Sequence, residues 1–175
     1  PYSEFYAYQI AKAMGLHAVP YYLGMWKGML SSYCELFTDI HTAYVPVGRL
    51  VPNGGLQAVL NYYKELGEDY YDELCSMLVF DAVIYNADRH FGNFGLLKDN
   101  RTGEFISPAP IFDNGYSLFS FAMEDDFADL KAYAQTRTSA TGANHTDIAK
   151  AVMGPKQREQ LRRLINFRFE PHKPN

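Results

Sequence analysis

Between Asp69 and Tyr85, the residues Tyr70, Leu74, Met77, Leu78, Val79, Val83 and Ile84 put apolar side chains on nearly every face of a helix. Such a helix has no face to offer water, so the rest of the chain must pack around it. It runs directly into Asn86-Ala87-Asp88-Arg89-His90-Phe91-Gly92-Asn93, a polar stretch without helical periodicity. A charged loop is therefore mounted on the most buried element, a common way of placing chemistry on a rigid scaffold.

The chain has the material to bury that helix. It holds 175 residues, 47% of them hydrophobic, with 14 Tyr and 12 Phe, which is too apolar for disorder and suits one domain or one large piece of one. A formal net charge of -4 leaves no whole-chain basic field, so direct nucleic acid binding is not expected. No apolar run approaches the ~18 residues of a membrane span and no signal segment opens the chain, so no membrane partner is expected. Cys34 and Cys75 form neither a CxxC nor a Cys/His grouping, which fits a reducing, cytoplasmic setting.

Around the central helix the pattern is mixed. Ser3 can cap an opening helix that carries Tyr6, Ile10, Ala13 and Met14 and stops at Gly15. Val19, Tyr21, Leu23 and Met25 alternate, Lys27-Gly28 breaks the run, and Met29 to Phe37 favours strand, which predicts two strands joined by a tight turn. The cluster Pro46, Gly48, Pro52, Asn53, Gly54 and Gly55 reads as a connection before a short helix over 56–66. Phe94 to Leu97 and Glu104 to Ser107 read as a hairpin, and a long irregular stretch runs from after Gly115 to about Asn144. Two helices follow, over 147–153 and 155–167, with Pro155 at a first-turn position.

The order of the polar residues carries chemistry. Asp88, then Asn93, then a hairpin, then Asp113-Asn114-Gly115 matches the catalytic loop, hairpin and metal site of protein-kinase-type phosphoryl transfer. There an Asp accepts the proton of the substrate hydroxyl, while an Asn and a second Asp hold magnesium against the phosphates through hard oxygen ligands. Either motif alone is weak, since Asp-Asn-Gly is also a turn sequence whose carboxylate can satisfy backbone amides. The ordered combination after a buried helix favours the functional reading.

The run FDAVIYNADRHFGNFGLL followed by APIFDNGYSL resembles the catalytic core of the HipA-like serine/threonine kinases, and its D-R-H-x-x-N spelling is also similar to the loop of phosphatidylinositol kinases. SEFYAYQIAKAMGLHAVPYYLG is similar to the helix and strand before the hinge of the HipA-like family, and CELFTD to its hinge. The resemblance covers most of residues 3–120. It implies an α+β, protein-kinase-like fold: a partial N-terminal lobe over 1–38, with one helix, two strands and the hinge, and a mostly helical C-terminal lobe over 39–175. It implies ATP and magnesium as cofactors, a protein Ser/Thr hydroxyl as acceptor and, as for some relatives in toxin-antitoxin pairs, a DNA-binding antitoxin partner.

By position, the resemblance makes Asp88 the proton acceptor, Asn93 and Asp113 the magnesium ligands, and His90 a contact to the nucleotide phosphates or transition state. Glu35, Leu36 and Phe37 would present hinge backbone groups to adenine, and Glu4 would be the helix carboxylate that pairs with the phosphate-binding Lys. Each has a plainer alternative. His90 could bond backbone around a tight loop, Glu4 suits a first helical turn without a partner, and Arg89 reads better as an ion-pair partner than as a catalyst. The chain contains no G-x-G-x-x-G, no Lys precedes the first helix, and Lys12 shares a helix with Glu4 and cannot replace a strand Lys. A fragment of a longer kinase is the expectation. The alternatives are a lipid or small-molecule kinase and a non-catalytic, pseudokinase-like binding module. Thr136, Thr138, Ser139 and Thr141 lie in a segment read as a solvated loop, with a regulatory phosphosite as its alternative.

Overall fold

The computed structural model describes residues 1–172. Helix α1 spans Tyr2–Met14 and closes on Gly15 at φ 75. The Leu16 N–H reaches back to the Ala11 carbonyl at 2.9 Å, closing a left-handed helix end that glycine adopts without strain. Ser3 is not the cap that was expected. Pro1 holds that position without a side-chain bond, and Ser3 lies buried inside the first turn. Strands β1 (Tyr22–Trp26) and β2 (Met29–Tyr33) pair antiparallel around Lys27-Gly28, both at positive φ, the turn whose twist suits a hairpin. The alternation expected from Val19 begins only at Tyr22. His17 and Val19 are instead bonded to the backbone of Ile111, which ties the start of this region to the segment just before Asp113.

The stretch expected to be only a connection holds strand β3 (Thr42–Pro46) and one turn of helix, α2 (Val47–Leu50). Helices α3 (Gly55–Leu66) and α4 (Glu68–Ile84) follow, then β4 (Gly95–Asp99) and β5 (Phe105–Pro108). The expected hairpin is therefore part of a three-stranded sheet in the order β3-β4-β5, with Tyr44 opposite Leu97. Gly95 allows that pairing to close, because a side chain there would run into the Val45 carbonyl. The irregular stretch after Gly115 contains a 3-10 helix (Glu124–Asp129) and α5 (Leu130–Gln135), each started by an aspartate carboxylate that accepts a backbone N–H. Helix α6 (His145–Val152) begins two residues earlier than expected because Asn144 caps it, and α7 (Pro155–Arg162) ends before Phe167. The following tail returns to α1, where Gln9 bonds the Glu170 backbone through both ends of its amide.

Helix α4 is the axis of this α+β fold. Leu74, Met77, Val79, Phe80 and Ile84 are buried against Ala7, Ile10 and Met14 of α1, Val59 and Tyr63 of α3, Leu96 of β4 and Ala149 of α6. Its apolar girth is thus explained by neighbours on most sides, although Val83 stands exposed where full burial was expected. It stops at Tyr85, which takes the left-handed conformation at φ 53 and turns the chain out into the polar loop. Among the described residues no helix is long and apolar enough to cross a membrane, and both cysteines are free.

Candidate active site

The loop is organised from below by one polar residue inside α4. Asp81 is buried, and the Arg89 guanidinium lies against its carboxylate with Nε at 3.0 Å from Oδ2. Arg89, only 4% exposed, spends the rest of its donors across the site: Nη1 on the carbonyls of Asn93 and Phe112, and Nη2 on Asp81 and on Asn114 Oδ1. Its full set of N–H groups is satisfied. One side chain thereby clamps the 86–93 loop to the 112–114 turn. Burial pushes the Asp81 carboxyl above the usual carboxylate range, and the Arg89 charge and the Asn86 amide pull against that rise.

Asn86 is the second brace. It is fully buried; its Nδ2 donates to Asp81 and its Oδ1 accepts the Asp88 N–H at 3.0 Å. The Asp88 backbone is therefore fixed while its side chain stays exposed, and no protein donor reaches that carboxylate among the described residues. Asn93 is buried and its Nδ2 donates to the Asp88 carbonyl at 3.0 Å, which orients the amide and leaves Oδ1 without a protein donor among the described residues. Asp113 sits at φ 55, with its N–H bonded to the Tyr21 hydroxyl at 3.3 Å and its carboxylate likewise unclaimed. Residues Asp88, Asn93 and Asp113 are thus carried on two backbone segments that meet at Arg89.

Glu4 reaches the same turn from α1. Its Oε2 accepts the Asn114 N–H at 2.9 Å, across 110 positions of sequence. Burial raises its carboxyl above the ordinary value, and the Asp113 charge adds to the rise, while the Asn114 N–H and Arg89 oppose it. No Lys or Arg nitrogen pairs with it among the described residues, so its partner here is backbone where the family resemblance implied a Lys. His90 is exposed, and its Nδ1 accepts the Gly92 N–H at 3.0 Å, the backbone role named as its alternative. A Cβ on Gly92 would come within 2.7 Å of that ring, so a larger residue there would displace the His90 side chain from this bond.

The three hinge residues separate. Phe37 packs on Phe112 and Tyr44, with ring centroids 5.1 and 5.9 Å away, and Tyr44 donates to the Gly92 carbonyl. Glu35 and Leu36 face solvent, Leu36 at 89% exposure. Sequence reasoning missed Asp81, Asn86, Tyr21, Tyr44 and Asn114. Only Asp81 left a readable signal, as a charged residue in the interior of an otherwise apolar helix, where a buried charge requires a partner.

The donor set can be tested against the cofactors. Hard oxygens on Asn93 and Asp113 suit magnesium, which commonly takes one or two protein ligands and completes its octahedron with phosphate oxygens and water. The described residues contain no group of three or more His, Cys, Asp or Glu that could enclose a metal alone.

No family model matches the chain. It is 29% identical over 136 residues to serine/threonine-protein kinase CtkA of Helicobacter pylori strain J99, a stretch covering 67% of this chain and 40% of that protein. The chain thus spans less than half the length of that curated relative. In three dimensions it is similar to the crystal structure of a Helicobacter pylori proinflammatory kinase, CtkA, with a TM-score of 0.66 and 20% identity, covering 97% of this chain and 76% of the solved one. The chain has the α+β fold of a kinase, and its sequence similarity is to a serine/threonine kinase.

Proposed function

We propose that this chain is the catalytic region of a HipA-like serine/threonine kinase that transfers the γ-phosphoryl group of ATP, with magnesium, to a protein hydroxyl. The observation that carries the reading is the Arg89 clamp, which joins the loop bearing Asp88 and Asn93 to the turn bearing Asp113 while leaving their outward oxygens free. In this reading residues 1–38 belong to the smaller lobe and 39–175 to the larger one. Asp88 accepts the proton of the acceptor hydroxyl, since its carboxylate is exposed and its backbone is held by Asn86. Asn93 Oδ1 and the Asp113 carboxylate hold magnesium, which supplies neutralisation of phosphate charge when bound. His90 offers its remaining ring nitrogen toward the phosphates, and the backbone of 35–37 faces adenine beside the Phe37, Tyr44 and Phe112 rings.

The test is phosphoryl transfer from ATP by the full-length gene product with magnesium, against candidate proteins and lipids. Asp88→Asn should lower turnover by about 10²- to 10⁴-fold with nucleotide affinity nearly unchanged, because it removes a base and little binding. Asp113→Asn should reduce both turnover and magnesium-dependent nucleotide binding. A wild-type rate that survives Asp88→Asn refutes the role given to this loop. An absence of turnover with partner binding that tolerates Asp88→Asn would mark a binding module instead.

A further inference from the structure

His145 is 3% exposed and opens α6, yet its ring turns away from its own helix. Nε2 lies 2.8 Å from the Asn86 carbonyl, and the ring packs on Tyr85 at 5.2 Å between centroids. A carbonyl can only accept, so Nε2 is the donor in this bond. Its Nδ1 has no protein partner among the described residues. His145 also lines a mostly apolar cavity of about 20 Å³ shared with Leu78, Asp81, Asn86, Arg89 and Phe94, with room for about one water.

The imidazole is held by a single hydrogen bond and by its packing on Tyr85. Its one strong bond goes to the residue whose side chain fixes the Asp88 N–H and the Asp81 carboxylate. We propose that His145 is a positioning residue: it latches the loop from α6, so that the helix following the 116–144 segment sets, through Asn86, where the Asp88 carboxylate stands. The catalytic half of this inference rests on the kinase reading above; the latch itself does not.

The experiment is amide hydrogen exchange on the wild type, His145→Ala and His145→Gln, with phosphoryl transfer by the same full-length proteins in parallel. Loss of the donor should speed exchange of the Asp88 amide by roughly 10-fold or more while β3–β4 amides stay protected, and glutamine, which keeps an N–H donor, should restore most of the protection. Turnover should fall by about 10- to 100-fold in His145→Ala with KM for magnesium-ATP within about 3-fold, and recover in His145→Gln. An unchanged Asp88 amide, a uniform rise across the chain, or an unaltered kcat beside a loosened loop overturns the proposal. Should alanine fail to fold, ¹⁵N NMR of wild-type His145 decides: a slowly exchanging Nε2–H on a neutral ring supports the latch, and a proton on Nδ1 alone defeats it. If the wild type transfers no phosphate at all, the kinase reading falls while the exchange data still decide the latch.

Discussion

The junction around Arg89 and the β1–β2 ribbon invert the usual placement of polar and apolar groups. At the junction Arg89, Asp81, Asn86 and Asn114 are all at most 4% exposed, and each bonds another member of the group. In the ribbon Met25, Trp26, Met29 and Tyr33 stand more than half exposed, on two strands that pair only with each other. The ribbon is shaped by a turn that almost any strand pair could use. The junction is shaped by buried donors and acceptors that tolerate one arrangement, since an unmatched member would carry its whole desolvation cost. The backbone segments that carry the candidate catalytic groups are thus joined to each other by buried polar bonds.

Breaking the junction should have the largest effect. Arg89→Met strands the Asp81 charge in the interior and removes the donor from the Asn93 and Phe112 carbonyls, at a cost of about 3–5 kcal/mol. For a chain of this size that is a drop in Tm of roughly 10 °C, read by thermal denaturation. Pairing Arg89→Met with Asp81→Leu sharpens the point. Apolar replacement of both charges should recover only part of the lost stability: an absent charge needs no partner, but the Asn86 and Asn114 side chains and the Asn93 and Phe112 carbonyls stay unmatched. Phosphoryl transfer should nevertheless stay lost, since nothing then joins the loop to the turn. Recovery of activity in the double variant would show that the clamp is not what places the site.

A smaller effect is expected at Glu4, on the rim of the junction. Its carboxyl titrates above the ordinary value in the folded protein because burial disfavours the charge. The folded state therefore holds that proton more tightly than the unfolded chain. Its contribution is most favourable below about pH 4.5 and declines as pH rises through the raised value. Glu4→Gln keeps an oxygen for the Asn114 N–H and removes the titration, so its Tm at pH 8 should exceed that of wild type by about 2 °C, with the difference closing toward pH 4.5. A gap that widens at acid pH reverses the sign and rejects the account. The ribbon should respond least: Trp26→Thr, at an exposed strand position, should change stability by under about 0.5 kcal/mol in urea denaturation.

Local pattern made some of this molecule legible. The all-round apolar run of α4, the Lys27-Gly28 turn, the stop at Gly15 and the order Asp88, Asn93, Asp113 are properties of neighbouring residues, and short-range backbone sterics and periodicity act on neighbours. Strand β3 was not legible in the same way, because Thr42–Pro46 becomes a strand by pairing with β4 at the far end of three intervening helices. Strand formation depends on such context more than helix formation does. The partners of the charged residues were equally hidden. Glu4 finds Asn114 across 110 positions, His145 finds Asn86 across 59, and Arg89 gathers Asp81, Asn93, Phe112 and Asn114 into one clamp. Chain order alone shows which residue types stand side by side and which helix must be buried. Which donor meets which acceptor follows from packing, because a hydrogen bond is made over about 3 Å, and distances that short between remote residues exist only after the core has formed.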